Sequence, residues 1–121
     1  MTRSLVIKVT AGAEAPERTN QAFTVAAAAV ASGVPVSLWL TGEAAWFAVP
    51  GKAAEFPALP HATPVQDLLE VVLSAARVTL CTQCAARRDL TEADLIEGVR
   101  IAGAPAFVEE ATRDGAQALV Y

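Results

Sequence analysis

Residues 5–40, LVIKVTAGAEAPERTNQAFTVAAAAVASGVPVSLWL, decide the fold. Leu5 to Val9 is a short β-branched run bounded by Ser4 and by Thr10-Ala11-Gly12, the signature of a strand. Glu14, Pro16 and Glu17 follow, a proline and acids of the kind that a helix N-terminus prefers. From Arg18 to Ser32 the apolar positions Ala22, Val25, Ala26, Ala29 and Val30 recur at helical spacing, and Gly33 is placed to end the helix. Val34 to Leu40 is nearly all apolar, so the second strand is expected to be covered on both faces. Strand, helix and strand in this order form a βαβ unit, whose crossover is right-handed.

Composition agrees with a packed chain. The sequence has 121 residues, of which 54% are hydrophobic and 18% charged. That length fits one domain, 1–121, and the apolar content excludes an intrinsically disordered chain. Alanine occupies 27 positions, which suits close helix-on-sheet packing and subunit contacts. The net charge is −4, and no basic stripe is present to neutralise phosphates, so no direct nucleic-acid partner is expected.

No charged residue lies between Arg18 and Glu43, a stretch long enough to span a bilayer. Asn20, Gln21, Thr24 and the Ser32-Gly33-Val34-Pro35 interruption favour a buried helix and strand instead, and no membrane association is expected. Lys8 breaks the only early apolar run, which argues against a signal peptide and for a cytoplasmic location with reduced thiols. Two cysteines are too few for a disulfide scaffold.

Beyond Leu40 the pattern continues less regularly. Ala44 to Val49 is a short apolar piece, and Phe56 to Pro64 a proline-rich loop. Thr63 is placed to cap a helix with Pro64 at its first position and Val65, Leu68, Leu69, Val72 and Leu73 on its apolar face. Val78-Thr79-Leu80 is a third strand ending at Cys81. Ala85 to Asp89 reads as a short helix, Thr91 with Asp94 as a cap, and Val99 to Ile101 as a fourth strand. A helix over Ala104 to Thr112 and a strand over Ala118 to Tyr121 complete the chain. The alternation predicts an α/β three-layer sandwich on a mostly parallel sheet of about five strands.

Ligands of such sheets bind outside the carboxyl ends of the strands. The first strand delivers Thr10-Ala11-Gly12-Ala13 there, a loop with one glycine and neither phosphate-binding fingerprint. The second delivers Thr41-Gly42-Glu43 and the third Cys81-Thr82-Gln83-Cys84. A cysteine at a strand end, just before a helix, lies near unpaired amides that favour thiolate over thiol. Arg87 and Arg88 would add positive potential. A buried cysteine pair with no chemistry is the plain alternative.

Reactive thiols at Cys81 and Cys84 would serve one of three chemistries. The pair can cycle between dithiol and disulfide. It can supply half of a zinc site, although the only histidine, His61, stands in the proline-rich loop. One thiolate can also take up a sulfane sulfur and hand the persulfide on to another thiol. His61 is a solvated loop residue or a catalytic acid–base. Glu43 is a pocket acid or a helix cap. Trp39, Trp46 and Phe47 are core, or an apolar wall around the cysteines. No cofactor and no resident metal are expected.

The whole pattern resembles the DsrE/DsrF-like sulfur-relay family, which includes the TusD-type subunits. The resemblance rests on LVIKVTAG, the alanine-rich helix ending at Ser32-Gly33, VSLWLTGEA and, above all, VTLCTQCAARRDL. Cys81 matches the family's persulfide-carrying cysteine, Ala85 and Ala86 its alanine stretch, and Arg87 with Arg88 its paired arginines. Asp89 stands where the family has glycine, and Cys84 is an addition to its one-cysteine pattern. The resemblance implies a five-stranded α/β sandwich assembling as a homo-oligomer, trimer or hexamer, with the cysteine near a subunit boundary. Sulfur donor and acceptor proteins are the implied partners, and a sulfurtransferase-like carrier the implied activity. Cys84 then adds the alternatives of a CxxC redox role or a noncatalytic assembly or switch subunit, with a metal-binding module as the third.

Overall fold

A computed structural model describes residues 2–121. Its centre is a five-stranded sheet in the order β4-β3-β2-β1-β5, with every neighbouring pair parallel. The strands are β1 Ser4–Val9, β2 Val36–Leu40, β3 Arg77–Cys81, β4 Arg100–Ala102 and β5 Ala116–Val120. The helices are α1 Pro16–Ala31, α2 Val65–Ala75, α3 Thr82–Arg87 and α4 Ala104–Ala111. The α/β reading stands, and "mostly parallel" sharpens to wholly parallel.

Strand order dictates where the helices go. From β1 to β4 each step moves the same way across the sheet, so right-handed crossovers put α1, α2 and α3 on one face. The step from β4 to β5 runs back past three strands to the opposite edge, and the same rule puts α4 on the other face.

Strand alternation then divides the side chains between two environments. Ile7, Val9, Leu38, Leu40, Val78 and Leu80 face α1 and α2 and join Ala22, Phe23, Ala26, Leu69 and Val72 in the main core. Phe23 is wholly buried and meets Phe47 edge-on, ring centroids 5.1 Å apart. Burying a side chain of that size contributes about 3 kcal/mol. The alternate positions Val6, Lys8, Ser37, Trp39, Arg77, Thr79 and Arg100 face α4.

Element boundaries depart from the expected ones for local reasons. Strand β2 starts at Val36, because the Val34 amide closes α1 on the Ala29 carbonyl and Pro35 has no amide to give. Thr63 does not cap α2: Pro64 holds that position without a side-chain bond, and the Thr63 carbonyl accepts from Asn20 Nδ2 at 2.9 Å. Residues 44–48 belong to a 3-10 helix, Gly42–Ala48, and Val49 is its C-cap. Helix α3 starts at Thr82, three residues before the expected start. Thr91 and Asp94 form a reciprocal capping box around the 3-10 turn Glu92–Asp94, as their spacing predicts.

Candidate functional site

Cys81 is the last residue of β3 and the N-cap of α3, so the chain passes from strand to helix without a loop. Its side chain is half-buried. Burial alone would push the thiol up, but the backbone amides of Cys84 and Gln83, the Cys84 thiol and the Lys8 ammonium outweigh it. Together they hold Cys81 below the ordinary thiol value. Helix α3 has only six residues, so the effect comes from amides in direct contact rather than from a long helix dipole.

Cys84 has a different environment. It is buried, 7% exposed, and belongs to the main core. Its Sγ accepts the Gly42 amide at 3.2 Å. That amide is aimed by a left-handed turn, φ 54°, where only glycine fits because a Cβ at position 42 would stand 2.6 Å from the Thr10 carbonyl oxygen. Strand β2 therefore ends in a turn that reaches across to α3, and the two thiols differ in both access and partners.

The arginine pair divides. Arg88 gives Nε and Nη2 to Glu43 Oε2 at 3.3 and 2.9 Å and Nη1 to the Cys84 carbonyl at 3.2 Å. Glu43 also accepts Trp46 Nε1 at 3.2 Å, so it ties the 3-10 helix to α3. Arg87 is exposed in the last turn of α3. His61 is exposed with φ 62° and lines a separate cavity with Asn20, Thr24 and Tyr121. The structure thus brings Cys81, Cys84, Arg88 and Glu43 into one neighbourhood and leaves His61 outside it.

The aromatic residues also separate. Trp39 lies on the α4 side, Phe47 in the main core, and Trp46 on the wall of a cavity of about 320 Å3. That cavity opens between Gly12–Glu14, Glu43 and Lys52–Phe56, at the carboxyl ends of β1 and β2, and neither cysteine lines it. Among the described residues no three His, Cys, Asp or Glu side chains gather as metal ligands would. No helix of the described residues is long and apolar enough to cross a membrane.

A polar group on the α4 face escaped the sequence reading. Glu110, only 6% exposed, accepts Ser37 Oγ at 2.5 Å and Trp39 Nε1 at 3.0 Å on one oxygen. Its other oxygen pairs with Arg100 and, at 3.4 Å, with Arg77. Burial alone would raise its carboxyl, but these donors and charges hold it below the usual carboxylate range. Arg100 Nε also reaches Thr79 Oγ1 at 2.7 Å. The available signal was the period of two: Lys8, Ser37, Arg77 and Thr79 are the polar alternates of strands whose other positions are apolar.

The profile of the DsrE/DsrF-like family matches residues 3–120. The YchN protein from E. coli shares the fold with a TM-score of 0.77 at 20% identity, over 99% of this chain and 100% of its own. A protein of unknown function, MTH1491 from Methanobacterium thermoautotrophicum, does so with a TM-score of 0.70 at 11% identity, over 98% and 99%. No curated protein matches the sequence. Asp89 has φ 54°, the left-handed conformation that glycine adopts freely and aspartate tolerates. With its all-parallel five-stranded sheet and a match over nearly its full length, the chain belongs to the DsrE/DsrF-like family.

Proposed function

We propose that the protein is a sulfur carrier whose acceptor thiolate is Cys81. The supporting observation is the seat of that sulfur: half-buried at the end of β3, bonded by the Gln83 and Cys84 amides, and held below the ordinary thiol value. The Cys81 thiolate attacks the sulfane sulfur of a donor persulfide, R–S–S⁻. A Cys81–S–S⁻ persulfide forms and the donor leaves as RS⁻, which is thiol exchange at sulfur. An acceptor thiolate then attacks the outer sulfur and Cys81 leaves as thiolate. Donor and acceptor are proteins, the chain works as one domain in a cytoplasmic homo-oligomer, trimer or hexamer, and no cofactor takes part.

Cys84 supports a second reading. Its thiol is close enough to Cys81 to help lower it. As a resolving thiol it would give up its proton, attack the inner sulfur of the persulfide and release HS⁻, leaving a Cys81–Cys84 disulfide. As a redox switch the pair would form that disulfide with an external disulfide as oxidant and no persulfide stage.

Mass spectrometry after incubation with a persulfide donor separates these. The carrier reading expects one added sulfur on Cys81 in the wild type and in Cys84→Ser, and none in Cys81→Ser. Uptake that survives Cys81→Ser but not Cys84→Ser reverses the assignment. A disulfide with no uptake on either thiol leaves the switch.

A further inference from the structure

Lys8 is a half-buried lysine on a sheet face whose other cations are already matched. Arg77 and Arg100 both discharge on Glu110, and Arg88 on Glu43. Among the described residues Lys8 enters no ion pair; its ammonium instead stands 4.5 Å from the centre of the Phe107 ring. A partly desolvated cation with only a ring quadrupole opposite it is incompletely compensated and favours an anion nearby.

Strand register relates Lys8 to Cys81. Register places Lys8 beside Trp39, and Trp39 beside Thr79, in one row across β1, β2 and β3. Cys81 follows Thr79 by two residues, on the same face and toward the carboxyl end. Cys81 is also paired in register with Ala102, from which the chain turns through Gly103 into α4 and Phe107. The ammonium and the sulfur therefore belong to the face that α4 covers, toward the carboxyl ends of its strands.

Lys8 is held in that position by a continuous set of contacts. Phe107 meets Trp39 edge-on at 5.4 Å, with the ring planes 89° apart. Trp39 donates to Glu110 and lies under the Arg100 guanidinium at 5.5 Å. Glu110, on the same helix as Phe107, is fixed to β2, β3 and β4 through Ser37, Arg77 and Arg100.

We propose that Lys8 is a positioning residue of the sulfur site: its ammonium is the counter-charge for the anionic sulfur at Cys81, held there by Phe107. The role rests on the reading of Cys81 as the nucleophile and assigns the cation that Arg88, committed to Glu43, does not supply. The charged and titratable groups that bear on Cys81 are then Lys8 from β1 and the Cys84 thiol from α3. Those facing Lys8 are Cys81 and, beyond the aromatic pair, the Glu110 cluster of α4, already neutralised by its two arginines. The same charge serves the persulfide anion, so the effect extends to any anionic sulfur carried at this position.

The test compares alkylation of Cys81 in the full chain by neutral iodoacetamide and anionic iodoacetate, resolved by site and followed against pH. Lys8→Met is expected to lower the iodoacetate-to-iodoacetamide rate ratio about threefold and to move the inflection to higher pH. Lys8→Arg keeps both. High salt moves the wild type toward the Lys8→Met ratio, a readout that needs no variant to fold. An unchanged ratio in Lys8→Met, or a salt-independent ratio in the wild type, overturns the role of Lys8. A wild-type inflection at the ordinary thiol value overturns the reading of Cys81 instead, and a ratio that responds without any persulfide uptake removes the relay and leaves Lys8 in place.

Discussion

The two faces of the sheet solve the burial problem differently. Under α1 and α2 the strands present Ile7, Val9, Leu38, Leu40, Val78 and Leu80, an apolar layer that any well-packed helix pair can cover. Under α4 they present Lys8, Ser37, Trp39, Arg77, Thr79 and Arg100, and one buried carboxylate gathers four of these side chains. The first face stabilises by area and is non-directional. The second is directional, because each donor has one geometry that satisfies it, and so it can hold a charged side chain in a chosen place.

Substitutions on the two faces should therefore fail in different ways. Phe23→Ala empties the apolar side and should cost about 4 kcal/mol in denaturant unfolding, while leaving the pH profile of Cys81 alkylation unmoved. A shift of that profile in a folded Phe23→Ala protein would erase the distinction. Glu110→Ala strands Ser37, Trp39 and two arginines and should cost about 3 kcal/mol. Unlike Phe23→Ala, it should also change Cys81 reactivity, since Phe107 shares the loosened helix.

Acid should act selectively on the second face. The Glu110 carboxyl is held low in the folded protein, so its contribution is fully present above the unfolded carboxylate value. It is lost as pH falls through the lower folded value. Chemical denaturation of the wild type at successively lower pH should show this loss, and Glu110→Gln should remove that component of the slope. The smallest expected effect lies outside both faces. Asp89→Gly relieves a left-handed residue and should raise stability by about 0.5 kcal/mol, with no change at Cys81.

The contrast between the faces is also the contrast in what could be read in advance. The apolar alternates of β1, β2 and β3 and the helical spacing of α1 and α2 carry their own periodicity, so that layer follows from local pattern. Cys81 was legible for the same reason, since a run of Val78-Thr79-Leu80 ending in cysteine announces a strand end. Glu110 was not, because a single acid in a short amphipathic helix reads as solvated until α4 is known to cross to the far side. That placement depends on the long step from β4 to β5, a property of the whole sheet. Arg88 shows the remaining gap: its position along the chain was suggestive, but a long flexible side chain took the nearest carboxylate, Glu43. The early start of α3 at Thr82 likewise follows from the direct strand-to-helix passage at Cys81, which three residues of propensity do not reveal.

Cys81, and not the neighbouring Cys84, is the thiol proposed to carry the reactive anion. A brief pulse of iodoacetamide on the folded wild-type protein at neutral pH, followed by site-resolved mass spectrometry, tests it most directly. Label should accumulate on Cys81 while Cys84, buried against the core beneath the Gly42 amide, stays unmodified. Equal labelling of the two, or label on Cys84 first, would contradict it.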